Sequence, residues 1–304
     1  MSDDAPTKTI SDFEATLNKA DTAVASFEKD DKTFIHKLRN FMRRNPTMIP
    51  ALVLVLSVLA FGLVNSRFLG MGALSTVLKQ MTVTGFIALA QTLVILTAGI
   101  DLSVGAILVL SSLIMGNLAV VVGVPALIAV LIGIFFGGLM GLVNGLLVTM
   151  MRLPPFIVTL GTLSIFESLK LWYSQSESIR NVDIEANAPA LLVFGKGINV
   201  GGASLSFGGL TLILLAAILW YVLNHTAWGR HVHAIGDDPD AALLSGIHVN
   251  RTLVSVYTVA GIICGFTAWI AIGRVGSVSP IAFDTVNLAS ITAVVIGGTS
   301  LFGG

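Results

Sequence analysis

The sequence predicts an all-α, polytopic transmembrane helical bundle, on the strength of its composition, its run lengths and the segregation of its charge. Hydrophobic residues make up 55% of the 304, charged residues only 11%, and the mean hydropathy is +0.90. A soluble domain carries roughly 25% charged residues, so lipid is the main solvent of this chain. A bilayer core needs about 20 apolar helical residues. From Thr47 onward eight segments approach that length, near 47–64, 80–98, 102–121, 125–149, 155–173, 208–224, 252–272 and 287–300. The third follows the second almost without a break, which predicts a discontinuous or re-entrant helix.

The net charge of +0 conceals the third observation. Residues 1–46 hold eight of the 17 basic and eight of the 17 acidic residues. They read as a disordered cytoplasmic polar tail ahead of a transmembrane domain over 47–304. No cleavable signal is visible before the first apolar run, so that helix is expected to serve as its own insertion signal. The tail ends in Lys37, Arg39, Arg43 and Arg44. Placing that cluster inside sets a trial topology with nine nearby bases inside and six outside, in the sense of the positive-inside rule. Residues 174–207 then form a periplasmic loop and 225–251 a cytoplasmic one.

Several function classes fall away on residue inventory. The single cysteine, Cys264, lies in an apolar run and reads as a small buried hydrophobe. No basic surface points to nucleic acid, and no His/Asp/Glu spacing points to a metal or to catalysis. Four of the five histidines fall in the 225–248 loop. No phosphate-binding Gly-x-x-x-x-Gly-Lys-Ser/Thr loop occurs, so the chain is not itself an ATPase of that class. No cofactor is implied.

The fourth segment carries Gly133, Gly137, Gly141 and Gly145, a glycine on every fourth residue. That spacing lays one bare strip along a helix, where a neighbouring backbone can approach closely. A helix-break element, Thr97-Ala98-Gly99-Ile100-Asp101-Leu102-Ser103-Val104-Gly105, separates two apolar stretches. It echoes 199 residues later, Leu89-Ala90 and Gly99-Ile100-Asp101-Leu102 against Leu288-Ala289 and Gly298-Thr299-Ser300-Leu301, with Gly105 matched by Gly304. Duplicated breaks of this kind point to a transport path in repeat-built transporters.

An ionised aspartate at the bilayer centre is costly, so Asp101 is expected to be capped by donors, to face water or to lie near an interface. One reading makes it the N-cap of the following helix, with Ser103 beside it. Gln91, Asp101, Ser103, Asn144 and Glu167 are the candidates for the translocation path. For Gln91 and Asn144 the simpler alternative is hydrogen bonding between helices. For Glu167 it is snorkelling or an i,i+3 pair with Lys170.

In the cytoplasmic loop, Gly236-Asp237-Asp238-Pro239-Asp240-Ala241-Ala242-Leu243-Leu244-Ser245-Gly246 spells out a complete short helix. Asp238 stands at the N-cap, Pro239 at the first helical position, Asp240 in the first turn and Gly246 at the stop. About seven residues cannot hold a helix alone, so it has to dock against something. Its Asp240-Ala241-Ala242-x-x-x-Gly246 spacing resembles the Glu-Ala-Ala…Gly signature that ATP-binding-cassette importer permeases present to their ATPase. Here Asp240 takes the place of the usual glutamate.

The run Leu93–Gly105, then Trp228-Gly229-Arg230 leading into Gly236–Gly246, then Ala293–Gly304 together resemble the ribose/xylose/arabinose branch of these sugar permeases, over roughly residues 50–304. Through Leu153-Pro154-Pro155-Phe156-Ile157-Val158-Thr159-Leu160-Gly161 and Asp183-Ile184-Glu185-Ala186 the likeness is to fructose-import permeases. The resemblance implies a pore subunit that passes a monosaccharide through the inner membrane. It also implies a cytoplasmic ATP-binding subunit, a periplasmic sugar-binding protein and a second permease copy as partners. Family members continue past the last glycine run with further membrane helices, so the chain stands C-terminally truncated relative to them, as a fragment or a shortened protein. The rival class is an ion-coupled secondary transporter or a channel for a small polar solute, with Asp101 and Glu167 as its only intramembrane coupling groups.

Overall fold

The computed structural model describes residues 48–200, 203–301 and 303. The tail and its basic cluster lie outside the described residues, as do Phe302 and Gly304. The chain opens with α1 (Met48–Val64), a 3₁₀ turn over Ser66–Leu69, and α2 (Met71–Leu96). After the break come α3 (Val104–Gly116), prolonged by a π turn over Asn117–Val121, then α4 (Ala126–Met151) and α5 (Pro155–Ser174). The loop read as periplasmic is structured. It holds α6 (Asn181–Asn187), a 3₁₀ segment over Pro189–Gly195, and an antiparallel hairpin of β1 (Gly197–Val200) and β2 (Ala203–Ser206). Then follow α7 (Phe207–His225), α8 (Ala227–Asp237), α9 (Pro239–Leu244), α10 (Val249–Val275) and α11 (Val286–Ile296).

Each of the eight apolar segments read from sequence therefore appears as a helix. Among the described residues five are long and apolar enough to cross a bilayer: α2, α3 with its π turn, α4, α7 and α10. α1 and α11 are shorter apolar helices. α5 spans 20 residues, but Glu167, Lys170 and a series of hydroxyl side chains dilute its hydropathy. The boundaries follow ordinary chemistry. Pro155 opens α5, Ser206 Oγ accepts from Gly209 N at the start of α7 (3.2 Å), and Gly276 closes α10 in the left-handed region at φ +76°.

The centre of the bundle is α3, all 13 of whose residues are buried. A helix apolar on every side belongs inside other helices. α2, α4, α5 and α10 surround it, while α1 turns most of its leucines and valines outward and α7 exposes Leu210, Ile213, Leu214, Ile218 and Trp220. An outward face of that kind suits lipid.

The tightest pairing joins α4 to α10. A methyl group placed on Gly137 would stand 2.6 Å from the Gly261 carbonyl and 2.8 Å from Gly265 Cα. One on Gly141 would meet the Tyr257 carbonyl and stand 2.9 Å from Gly261 Cα, and one on Gly145 would stand 2.9 Å from Val254 Cα. Gly133, one turn further, faces α3 instead, against Met115 and the Ser111 carbonyl. The answering glycines on α10, Gly261 and Gly265, repeat the same four-residue spacing.

Lys170 on α5 has a side chain only 4% exposed. It donates to Glu167 at 3.0 Å and to Asp284, ahead of α11, at 3.2 Å. Glu167 thus takes the i,i+3 pair rather than standing free. Its carboxylate and that of Asp284 remain partly solvated while the ammonium is enclosed, so the pair neutralises the one buried cation in the described bundle without burying two anions.

Candidate functional site

Two places concentrate polar chemistry. The first is the break between α2 and α3. α2 ends because Ala98 enters the left-handed region at φ 57°, and Gly99 N then reaches back to the Val94 carbonyl at 3.1 Å. A Cβ at position 99 would stand 2.8 Å from Tyr257 Oη and 3.0 Å from Val94 Cγ1, so any larger residue there crowds the tyrosine hydroxyl.

Asp101 follows, 1% exposed. Its Oδ1 accepts from Ser103 N at 2.8 Å and from Ser103 Oγ at 2.7 Å. Asn144 of α4 donates to Ser103 Oγ at 2.7 Å and reaches the other carboxylate oxygen at 3.4 Å. Gln91 of α2, with its amide turned to satisfy both ends, pairs with the backbone N–H and C=O of Asp101 at 3.1 Å each. Thr159 of α5 donates to the Ile100 carbonyl and accepts from Leu102 N, both at 3.1 Å.

Four of the five path candidates, Gln91, Asp101, Ser103 and Asn144, therefore meet in one enclosed cluster, and Glu167 stands apart from it with Lys170. No cation pairs with Asp101 among the described residues. Hydroxyl, amide and backbone donors hold it instead, which is how unregular backbone is tolerated at membrane depth. Asn144 Oδ1 and Tyr257 Oη are buried there with no partner among the described residues.

The N-cap reading of Asp101 needs correction. Ser103 occupies the N-cap position of α3, and the Asp101 carboxylate folds back onto Ser103 itself, an Asx-type turn. The bond that a cap side chain would make is supplied from far along the chain. Asn287 Oδ1, on the first turn of α11, accepts from Gly105 N at 2.6 Å. Asn287, Thr159 and Tyr257 escaped the sequence reading, because one polar side chain in an apolar run carries no signal of which distant backbone it meets.

The echo between the two breaks has a geometric counterpart. At the end of α11, Gly298 takes φ +103°, its N–H bonds to the Val295 carbonyl at 3.0 Å, and Thr299 N bonds to the Val294 carbonyl at 3.2 Å. Ala98 and Gly99 make the same pair of bonds to Ile95 and Val94, at 2.9 and 3.1 Å. The two caps share this bond pattern at a spacing of 200 residues, one more than the sequence echo, because the left-handed residue is Ala98 in the first and the glycine itself in the second.

The second polar place is the α8–α9 corner. The sequence read 225–238 as loop, whereas α8 is an amphipathic helix. Thr226 Oγ1 caps it by accepting from Gly229 N, Val232, Ile235 and Gly236 are buried, and Arg230 faces out. Trp228 Nε1 donates to Ser255 Oγ of α10 at 2.8 Å and pins α8 to the bundle. Asp238 then caps α9, its Oδ1 accepting from Asp240 N at 2.9 Å and Ala241 N at 3.1 Å. Pro239 is the first helical residue, Ala242 is buried, and Gly246 ends the element at φ +84°. Asp240 is exposed, and so are Leu243 (61%) and Leu244 (90%). A six-residue helix thus shows two bare leucines and a carboxylate away from the bundle.

Residues 73–304 match the family described as branched-chain amino acid transport system / permease component. The chain belongs to that family. The fructose import permease of Rhizobium meliloti is 50% identical over 294 residues, covering 96% of this chain and 82% of its own length. The ribose import permease of Bacillus subtilis strain 168 is 38% identical over 255 residues (84% and 77%). The D-allose transport system permease of Escherichia coli K12 is 33% identical over 254 residues (83% and 75%). No solved structure matches. The permease is a multi-pass inner-membrane protein and the non-catalytic pore subunit of an ATP-binding-cassette system, one that works with an ATPase and a binding protein.

Proposed function

We propose that this permease imports a monosaccharide, with fructose as its substrate, and that α9 is the element its ATPase grips. The observation that carries the coupling role is the exposed helix itself: capped at both ends, too short to stand alone, and offering Leu243, Leu244 and Asp240 outward. Fructose is favoured by the printed function of the Rhizobium relative, and the ribose and allose relatives support the wider sugar class. Two copies form the pathway between them, and a periplasmic sugar-binding protein delivers the substrate. The N-terminal tail lies in the cytoplasm, and residues 47–304 make up the membrane domain. ATP-driven closure of the motor moves α8 and α9 and switches the access of the pathway, while Gln91, Asp101, Ser103 and Asn144 hold the α2–α3 break beside it.

Reconstitution of the permease with its ATPase and binding protein tests this reading. Labelled fructose should accumulate inside vesicles only when ATP and all components are present, with unlabelled fructose competing better than ribose or allose. Uptake that persists without the ATPase but collapses with the proton gradient would instead make the chain a secondary transporter.

A further inference from the structure

The two polar places are joined by one short helix. α11 runs for 11 residues, about 16 Å at 1.5 Å per residue. Near its start Asn287 accepts the Gly105 N–H at 2.6 Å, in the first turn of α3 and two residues beyond Ser103, whose hydroxyl bonds to Asp101. Past its end, the chain turns at Gly298 and brings Gly303, at φ +88°, against the backbone of Gly236. Gly236 is buried near the end of α8, two residues before the Asp238 that caps α9. The contact there is backbone on backbone. A Cβ on Gly303 would overlap the Gly236 carbonyl and stand 2.9 Å from Gly236 Cα.

We infer that α11 is the strut that carries motion between the ATPase-facing corner and the buried polar break, with Asn287 as the hook at its far end. This inference rests on the role proposed above for α9. α11 is rigid along its length, and the short segment that turns at Gly298 ties its end to Gly236 through Gly303, so a displacement at that corner is passed along the helix to Asn287. The bond at the far end is also specific. Gly105 N is one of the orphan donors of the α3 N-terminus, and no side chain of the local chain satisfies it. Loss of the Asn287 acceptor therefore removes the hydrogen bond from the first turn of α3 to α11 and leaves the Asp101 network's own bonds in place. The side chain at position 105 has to be absent for the hook to reach, since a Cβ there would collide with Asn287 and stand 2.9 Å from Val286 Cγ1. Asn287 acts as a positioning residue, through Gly105, and need not touch substrate.

The test uses the whole transporter in proteoliposomes and reads sugar moved per ATP hydrolysed. Asn287→Leu keeps the bulk and removes the acceptor. Its transport per ATP should fall about tenfold, within the usual range of coupling between sites, while hydrolysis by the assembled complex stays near wild type. Asn287→Asp keeps an oxygen for the Gly105 N–H at a helix N-terminus that favours negative charge, and should recover most of the ratio. Gly303→Ala, at the other end, should lower the ratio as Asn287→Leu does.

An unchanged ratio in Asn287→Leu would overturn the inference. So would a fall in uptake and hydrolysis together, in step with the amount of permease, with no recovery in Asn287→Asp. The two readings separate through Asp240→Lys. If that variant transports normally, the α9 assignment fails. If it abolishes uptake while Asn287→Leu keeps a normal ratio, only the strut fails.

Discussion

Asp240→Lys is expected to bring ATP-driven uptake to background while the permease accumulates in the membrane at its usual level. The local cost of the change is small. Asp240 lies in the first turn of α9, where a carboxylate adds about 0.3–1 kcal/mol through the helix dipole, and its side chain makes no bond that holds the turn. Asp238 still accepts from two backbone N–H groups, a cap worth about 1 kcal/mol, so α9 stays folded. What reverses is the charge on the exposed face beside Leu243 and Leu244 that the ATPase is proposed to grip, so the effect falls on docking rather than on the fold.

Gly246→Val reaches the same phenotype by another route. It forces a β-branched side chain into φ +84°, a conformation that disfavours L-residues by about 1–2 kcal/mol, and loosens the end of a helix with only six residues to spare. Uptake assays normalised to immunoblot levels check both. Wild-type uptake by either variant counts against the coupling role of α9.

Gly141→Val is expected to remove folded permease from the membrane altogether. Filling a glycine inside a helix ordinarily gains up to about 1 kcal/mol of helix propensity, less for a β-branched residue. Here the new Cβ meets the Tyr257 carbonyl and lies 2.9 Å from Gly261 Cα. Both are backbone atoms, so no rotamer change makes room and α4 has to move off α10. Separation also weakens the neighbouring approaches at Gly137 and Gly145, and overpacking of this kind costs roughly 1–3 kcal/mol at a single site and more along a shared seam. The separation wins over the propensity gain. Gly72→Ala, where nothing lies within 4 Å, is the matched control and should leave the amount of permease unchanged or slightly higher. Fluorescence-detected size exclusion of detergent extracts reads both, and a monodisperse Gly141→Val peak at wild-type height would contradict the packing account.

Local chemistry made most of the architecture legible. Eight apolar runs are eight helices, because an apolar segment in lipid satisfies its backbone within itself only as a helix. The α9 corner was readable residue by residue, since Asp238, Pro239 and Gly246 each act on their own immediate backbone. The misses share a cause. α8 was hidden because its buried positions, Val232, Ile235 and Gly236, are too few and too interrupted by histidines to stand out as an apolar run. Asp101 was misplaced by two residues as a cap because the decisive acceptor, Asn287, sits 182 residues beyond the Gly105 N–H it serves. Lys170 stood in the sequence only as an i,i+3 partner for Glu167, and the approach of Asp284 from a different segment shows why it can be buried. Long-range pairing leaves no trace in local pattern.

The sidedness of α9 is the most direct check on the whole account. Cys264, the single native cysteine, is buried, so a Leu244→Cys variant presents one reactive thiol at the most exposed leucine of that helix. A membrane-impermeant maleimide should label it in inside-out vesicles and leave it unlabelled in intact spheroplasts, and co-assembly with the ATPase should protect it. Labelling from the periplasmic side would place the motor's handle where no ATPase can reach it.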